Sequence, residues 1–163
     1  MSRLGVLYAI DDTALEALRQ LSEEERYEYM LEEIEPKLLE TDYGYELDKS
    51  WEGIQYCLGN GKWNEDNVLP TNVVFAGEFL VENEDEIITL KHKDEVKAIA
   101  DYLETADLSV LIRENYPQIP EDEYMLPKDD DGLTYLLDWA AGLAEFYQHA
   151  VQENRQVIFT VDL

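Results

Sequence analysis

The groups able to do chemistry are unevenly supplied: 38 aspartates and glutamates stand against 12 lysines and arginines, with two histidines and one cysteine. Nucleophilic catalysis needs a nucleophile, a base and an orienting group that meet in space. Cys57 with His92 or His149 supplies those types in composition. Cys57, however, falls beside an apolar helical stripe, where a thiol is ordinarily buried and inert. Zinc-type sites need His and Cys clusters, and the two histidines lie far apart in the chain, so neither a metal nor an organic cofactor is expected. Gly59-Asn60-Gly61-Lys62 has the residue types of a phosphate loop but lacks its full spacing and preceding strand, and reads as a turn. No nucleophile elbow or dinucleotide glycine fingerprint occurs. Asp129-Asp130-Asp131-Gly132 lacks the alternating ligands and distal glutamate of a calcium loop, so its carboxylates read as a helix cap. Paired carboxylates for general acid–base work are available everywhere, which is why no particular pair stands out. Whether the chain is an enzyme stays open at this level.

Any such groups must be positioned by elements that periodicity makes visible. Residues 4–10 form a short apolar run, expected to be a buried strand. A helix capped by Asp11 or Asp12 follows, with Leu15, Leu18 and Leu21 inward. Ser22-Glu23-Glu24-Glu25 fits a capping box for a second helix, with Tyr27, Met30, Leu31 and Ile34 inward and an end before Pro36. Tyr43-Gly44-Tyr45 reads as a turn, leading into a helix over residues 47–59 in which Asp48 is the N-cap and Trp51, Ile54 and Leu58 share a face. Gly59 or Gly61 supplies a left-handed residue at its end.

A hairpin over residues 79–90 has an acidic tip without the glycine and spaced ligands of a calcium loop. Lys91-His92-Lys93 is the one basic patch, placed before a helix with Val96, Ile99, Ala100 and Leu103 inward. A further helix begins near Asp107 and stops at Pro117, and residues 118–128 read as a loop packed by Tyr124, Met125 and Leu126. The strongest signal is C-terminal. Leu133, Leu136, Leu137, Ala140, Leu143, Ala144, Tyr147 and Val151 recur at helical spacing, and Val157 to Val161 then read as a buried strand.

Leu47-Asp48-Lys49-Ser50-Trp51, followed by an amphipathic turn ending in Leu58-Gly59, resembles the hallmark of the YfbM-like family of uncharacterised bacterial proteins. The Gly5 strand running into Ile10-Asp11, and Phe146-Tyr147-Gln148-His149-Ala150 before a Val/Ile-rich strand, are similar to that family's opening and close. The chain departs from the pattern at Ala76-Gly77, where a Gly-Gly pair is common, and in its acidity. The resemblance implies an α+β single domain, and it brings no activity with it. It also singles out Asp48, Lys49 and Trp51. In a structural role Asp48 caps, Trp51 packs and Lys49 pairs with a carboxylate. In a ligand-binding role they line a cleft with Tyr56, Asn60 and Trp63, the lysine holding an anion between aromatic walls.

The expected architecture is thus α+β: one domain over residues 1–163, with a mixed or antiparallel sheet of about four or five strands and helices packed on it, the long one over residues 131–152 central. The apolar content of 45% suits a globular chain. A formal charge of −26 disfavours unaided binding to nucleic acid or anionic membrane and favours a basic protein partner. The charge equally serves solubility. No apolar run is long enough to span a bilayer, the first five residues lack a signal-peptide pattern, and a cytoplasmic location is expected. The leading functional expectation is a non-enzymatic acidic interaction protein of the immunity or nucleic-acid-mimic kind. Its alternative is a small-molecule-binding domain or enzyme built on residues 48–63.

Self-repulsion among −26 charges weakens the fold when salt is low. The melting temperature is expected to rise between about 0.01 M and about 0.1 M sodium chloride, as the Debye length shrinks from about 30 Å to about 10 Å. A thermal melt that ignores salt would show that the charges are offset locally.

Overall fold

A computed structural model describes residues 3–163; Met1 and Ser2, read above with the opening segment, lie outside the described residues. Strands β1 (Gly5–Ile10), β2 (Gly44–Asp48), β3 (Glu78–Glu82), β4 (Glu86–Lys91) and β5 (Gln156–Asp162) form one antiparallel sheet in the order β2-β1-β5-β4-β3. The C-terminal strand is therefore its centre, with Leu7 opposite Phe159 and Ile88 opposite Thr160. Helices cover both faces, which explains why β1 is buried along its whole length and reads as an unbroken apolar run. Leu7, Ala9, Val157, Phe159 and Val161 point into the larger core, and Val6, Tyr8, Ile10 and Ile158 into the smaller.

The smaller core is closed by α1 (Asp12–Gln20) and α2 (Glu23–Tyr29), the latter continued by a π-helical turn (Met30–Ile34) and α3 (Glu35–Leu38). The larger is closed by α4 (Trp51–Leu58), α5 (Lys93–Thr105), α6 (Leu108–Asn115), α7 (Asp130–Ala140) and α8 (Leu143–Gln152). Asp11, Asp107 and Asp129 cap α1, α6 and α7 through side-chain bonds to backbone N–H groups, as expected of carboxylates at those positions. No helix among the described residues is long and apolar enough to cross a membrane. The α+β architecture with a terminal strand follows the sequence expectation.

Several local expectations are revised. Residues 44–48 are strand rather than turn and helix cap, because Gly44 and Asp48 pair with Tyr8 and Gly5 of β1. Helix α4 starts two residues later than expected, with Ser50 rather than Asp48 at the N-cap position. The helix does not end before Pro36. In the π turn Glu35 N–H bonds to the Met30 carbonyl, and the proline, which has no N–H, enters at the start of α3. Leu31 is left 45% exposed there. The Ser22 hydroxyl donates to Glu25 at 2.8 Å and makes no cap bond of its own.

The long C-terminal helical segment is interrupted at Ala141-Gly142, where Tyr45 of β2 intervenes. Its hydroxyl bonds the Trp139 carbonyl and accepts from Gly142 N–H at 3.1 Å. Tyr124 is buried in the loop after α6, while Met125 is 64% exposed. The basic patch dissolves: Lys91 is fully buried, His92 and Lys93 pair with Glu78 and Asp12, and His92 N–H bonds Glu95 in the first turn of α5.

An irregular stretch, Thr71 to Ala76, runs through the interior and is almost wholly buried. Side chains satisfy its backbone. Gln55 donates to the Thr71 and Asn64 carbonyls at 2.8 and 2.9 Å and accepts from Phe75 N–H at 3.0 Å. Tyr147 donates to the Val73 carbonyl at 2.5 Å, Thr89 to that of Phe75 at 2.7 Å, and Lys91 to that of Val74. The Lys91 amine also reaches the Thr89 hydroxyl at 3.1 Å and lies 5.5 Å from the Phe159 ring centre. No carboxylate meets it directly, and burial pulls its pKa well below the ordinary lysine value.

In the window between the two pKa values the unfolded chain binds a proton that the fold excludes. Lys91's contribution is therefore complete above about pH 10.4 and declines as the pH falls. The stability of the native chain relative to Lys91→Met is expected to increase between about pH 7 and about pH 9.5 in urea melts. A difference that stays flat over that range would mean that the buried amine keeps its proton.

Candidate functional site

Helix α4 presents almost every residue to the interior, wedged between the sheet and the α6 and α7 helices. Ser50 starts it with its hydroxyl donated to the Leu47 carbonyl at 2.5 Å. Trp51 is 3% exposed, and its indole N–H donates to the Arg3 carbonyl at 2.8 Å. Gly5 permits this packing, since a Cβ there would stand 2.8 Å from the indole ring. The rings of Phe159, Phe75 and Trp63 follow at 5.9, 6.1 and 6.3 Å. Trp63 in turn lies 5.3 Å from Tyr56 and 5.2 Å from Phe75, edge to face in both cases.

The rings of Trp51, Tyr56, Trp63 and Phe75 wall an open groove of about 360 Å³, flanked by Arg3, Glu52 and Glu65. Trp63 forms its outer lip, 36% exposed. Inside, Glu52 accepts from the Arg3 guanidinium at 3.3 Å and from Met125 N–H at 3.1 Å. Burial pushes the Glu52 carboxyl up, against the pull of those two contacts. The Arg3 guanidinium also sits 5.3 Å from the Trp51 ring centre. Burial raises the Tyr56 hydroxyl, reinforced by the negative field of Glu123, Glu52 and Asp122. The groove is thus aromatic in its walls and acidic around them.

Of the residues singled out from the sequence, Trp51, Tyr56 and Trp63 come together here. Asp48, Lys49 and Asn60 do not line this groove. Asp48 ends β2 in a left-handed conformation (φ 52°) and caps no helix; its carboxylate takes the Tyr135 hydroxyl and the Lys49 N–H, the latter at 2.9 Å. The Lys49 side chain is exposed and makes no ion pair among the described residues. Asn60 ends the α4 turn at φ 59° and meets the Asn115 amide at 3.5 Å. Arg3, Glu52 and Phe75 were not picked out. Only Glu52 had a local signal, being one helical turn before Tyr56; Arg3 and Phe75 arrive from distant segments.

The remaining chemistry is resolved by position. Cys57 is fully buried, and burial pushes its thiol up to about 12, so it is held protonated. His92 lies against Glu78 and His149 against the Tyr43 ring, so neither serves as its base. No group of three His, Cys, Asp or Glu among the described residues is placed to hold a metal ion. In the Gly59–Lys62 turn the amides of Gly59, Asn60 and Gly61 bond to carbonyls of the last turn of α4 and that of Lys62 to the Gly59 carbonyl, and Gly61 has φ 90°. Those donors are not free to cradle a phosphate.

A family model described as a domain of unknown function (DUF1877) matches residues 1–160. The crystal structure of YfbM, a protein of unknown function from Escherichia coli, is similar with a TM-score of 0.66 and 16% identity, covering 97% of this chain and 99% of that one. At that identity the likeness speaks for the fold. No match was found among curated proteins.

Trp51→Ala is expected to cost roughly 3–5 kcal/mol, because it empties the centre of the aromatic cluster. Trp63→Ala, at the exposed lip, is expected to cost much less. Paired urea melts check this, and an unchanged midpoint for Trp51→Ala would contradict the packing described.

Proposed function

The chain belongs to the DUF1877 family, in keeping with its YfbM-like resemblance, and from that premise we propose a non-enzymatic acidic interaction protein that docks a basic protein partner. The observation that carries this reading is the aromatic groove set in an acidic surround, with Trp63 exposed at its lip. Aromatic side chains in a partly open pocket are the usual anchors of protein interfaces, and carboxylates at the rim select and steer a cationic partner. Val68 and Leu69 add exposed apolar surface on the Trp63 loop, and Met125, whose N–H bonds Glu52, adds more on the loop after α6. Ion pairs among the described residues engage Arg3, Arg19, Lys37, Lys93 and Lys97, so most of the 38 carboxylates have no basic side chain to neutralise them. A cytoplasmic setting accords with the single buried thiol.

The alternative, a small-molecule-binding domain or enzyme in the 48–63 region, draws on Glu52, whose raised carboxyl lies beside Trp51 and Tyr56. Against it, Lys49 lies outside the groove and offers no anion anchor there.

A synthetic amphipathic peptide rich in arginine and leucine is a suitable probe. Its affinity is expected to fall about tenfold or more between low and about 0.15 M salt, and to fall again in Trp63→Ala and Glu65→Gln. Binding that loses strength with salt but ignores both variants would place the contact elsewhere on the acidic surface. Saturation by a neutral aromatic compound, blocked by Trp63→Ala, would favour the small-molecule reading.

A further inference from the structure

The aromatic groove already seats one cation of the chain's own. The Arg3 guanidinium stands 5.3 Å from the centre of the Trp51 ring and donates to Glu52 Oε2 at 3.3 Å. Glu52 is held in place for it: its other oxygen accepts the Met125 N–H at 3.1 Å, and its side chain is only 13% exposed. The Arg3 backbone is anchored independently of its side chain, because its carbonyl accepts the Trp51 indole N–H at 2.8 Å. An indole ring beside a fixed and shielded carboxylate is a recognition unit for a guanidinium.

The seat is loosely held. Of its several N–H donors the Arg3 guanidinium spends one on Glu52, at a long distance for a charge-assisted bond, and the side chain stays 28% exposed. A half-open pair of this kind is weakly bound. At the rim, Glu65 has no ion pair among the described residues, and the exposed Trp63 leaves the entrance accessible. A cationic partner thus meets an open lip and an inner seat filled from within.

We propose that the groove reads an arginine side chain of the basic partner, which replaces the Arg3 guanidinium beside Trp51 and Glu52, so that Arg3 is a built-in competitor. This rests on the docking function proposed above and adds to it the recognised group and a brake on its binding. Arginine suits the seat better than lysine. The seat offers ring surface and one carboxylate oxygen not already taken by a backbone N–H, which fits a flat, weakly hydrated cation; an ammonium would leave donors without acceptors there. While Arg3 occupies the seat, the apparent affinity for a competing arginine falls in proportion to the fraction of molecules in which the seat is empty.

Calorimetric titration of the full chain tests this with the arginine- and leucine-rich peptide and with the same peptide carrying lysine for arginine. Arg3→Met keeps an apolar stem and removes the competing cation, and it is expected to tighten binding of the arginine peptide about threefold to tenfold. Glu52→Gln keeps an acceptor for the Met125 N–H and is expected to weaken binding at least about tenfold, with or without Arg3→Met. The lysine peptide is expected to bind at least about threefold more weakly than the arginine peptide. Lys37→Met removes the same charge from α3, on the other side of the sheet, and should change affinity less than about twofold. Thermal melts establish that each variant is folded. A second readout needs no variant to fold: in the isotope-labelled native chain the Arg3 Nε–H resonance is expected to move to the position of a solvated arginine as unlabelled peptide is added. Binding by Arg3→Met alone also supports the proposal. A resonance that stays in place, an affinity unchanged by Arg3→Met, an equal gain in Lys37→Met, or a lysine peptide that binds as well would overturn it. Each of those leaves the docking function standing on its response to Trp63→Ala and Glu65→Gln. No binding by either the native chain or Arg3→Met overturns both.

Discussion

The structure depends on keeping an irregular backbone segment inside a hydrophobic core. Thr71 to Ala76 belongs to neither helix nor strand, yet it lies between α4, α8 and β4. Its carbonyls and N–H groups would each cost a few kcal/mol if left without partners there. Gln55, Thr89, Lys91 and Tyr147, drawn from a helix, a strand and a second helix, reach it with side-chain hydrogen bonds. The same bonds tie the two sides of the larger core together. Burying a lysine for this purpose is tolerable because two oxygens receive the amine, and burial pulls its pKa down, which lowers the cost of shedding the charge.

That internal brace also shapes the surface. Phe75, held by Gln55 and Thr89, forms the floor against which Trp51 and Trp63 pack. The groove's aromatic wall is thus supported from beneath by buried polar bonds and from above by the Arg3–Glu52 pair. Rigid aromatic walls lose little conformational freedom on binding, which suits a docking surface. The acidity around them is a property of the whole chain, and the groove gives part of that charge a defined place to act.

Much of the fold was legible because periodicity is local. The helical stripe at Val96–Leu103, the buried runs of β1 and β5, and the caps at Asp11, Asp107 and Asp129 are written in neighbouring residues and form where expected, as does the helical stripe at Leu133–Val151 apart from its break at Ala141-Gly142. Half of the candidate site was legible in the same sense, since Trp51 and Tyr56 share a helix and Trp63 follows in the next loop. The amino-acid sequence by itself thus determined an acidic α+β chain, with a hydrophobic terminal strand and an aromatic-rich stretch after Asp48.

The tertiary structure decided what depends on partners far along the chain. Gly44 to Asp48 became strand because β1 offered an edge to pair with, overriding a plausible cap. The C-terminal helical segment broke because the Tyr45 hydroxyl inserted at Gly142. Lys91 looked like surface charge and is core, because its amine finds two oxygens. Asp48 and Lys49 separated from Trp51 because a left-handed residue turns the chain between strand and helix. In each case a long-range hydrogen bond or strand pairing outweighed a local preference of about 1 kcal/mol or less, and only assembly of the whole chain could supply it.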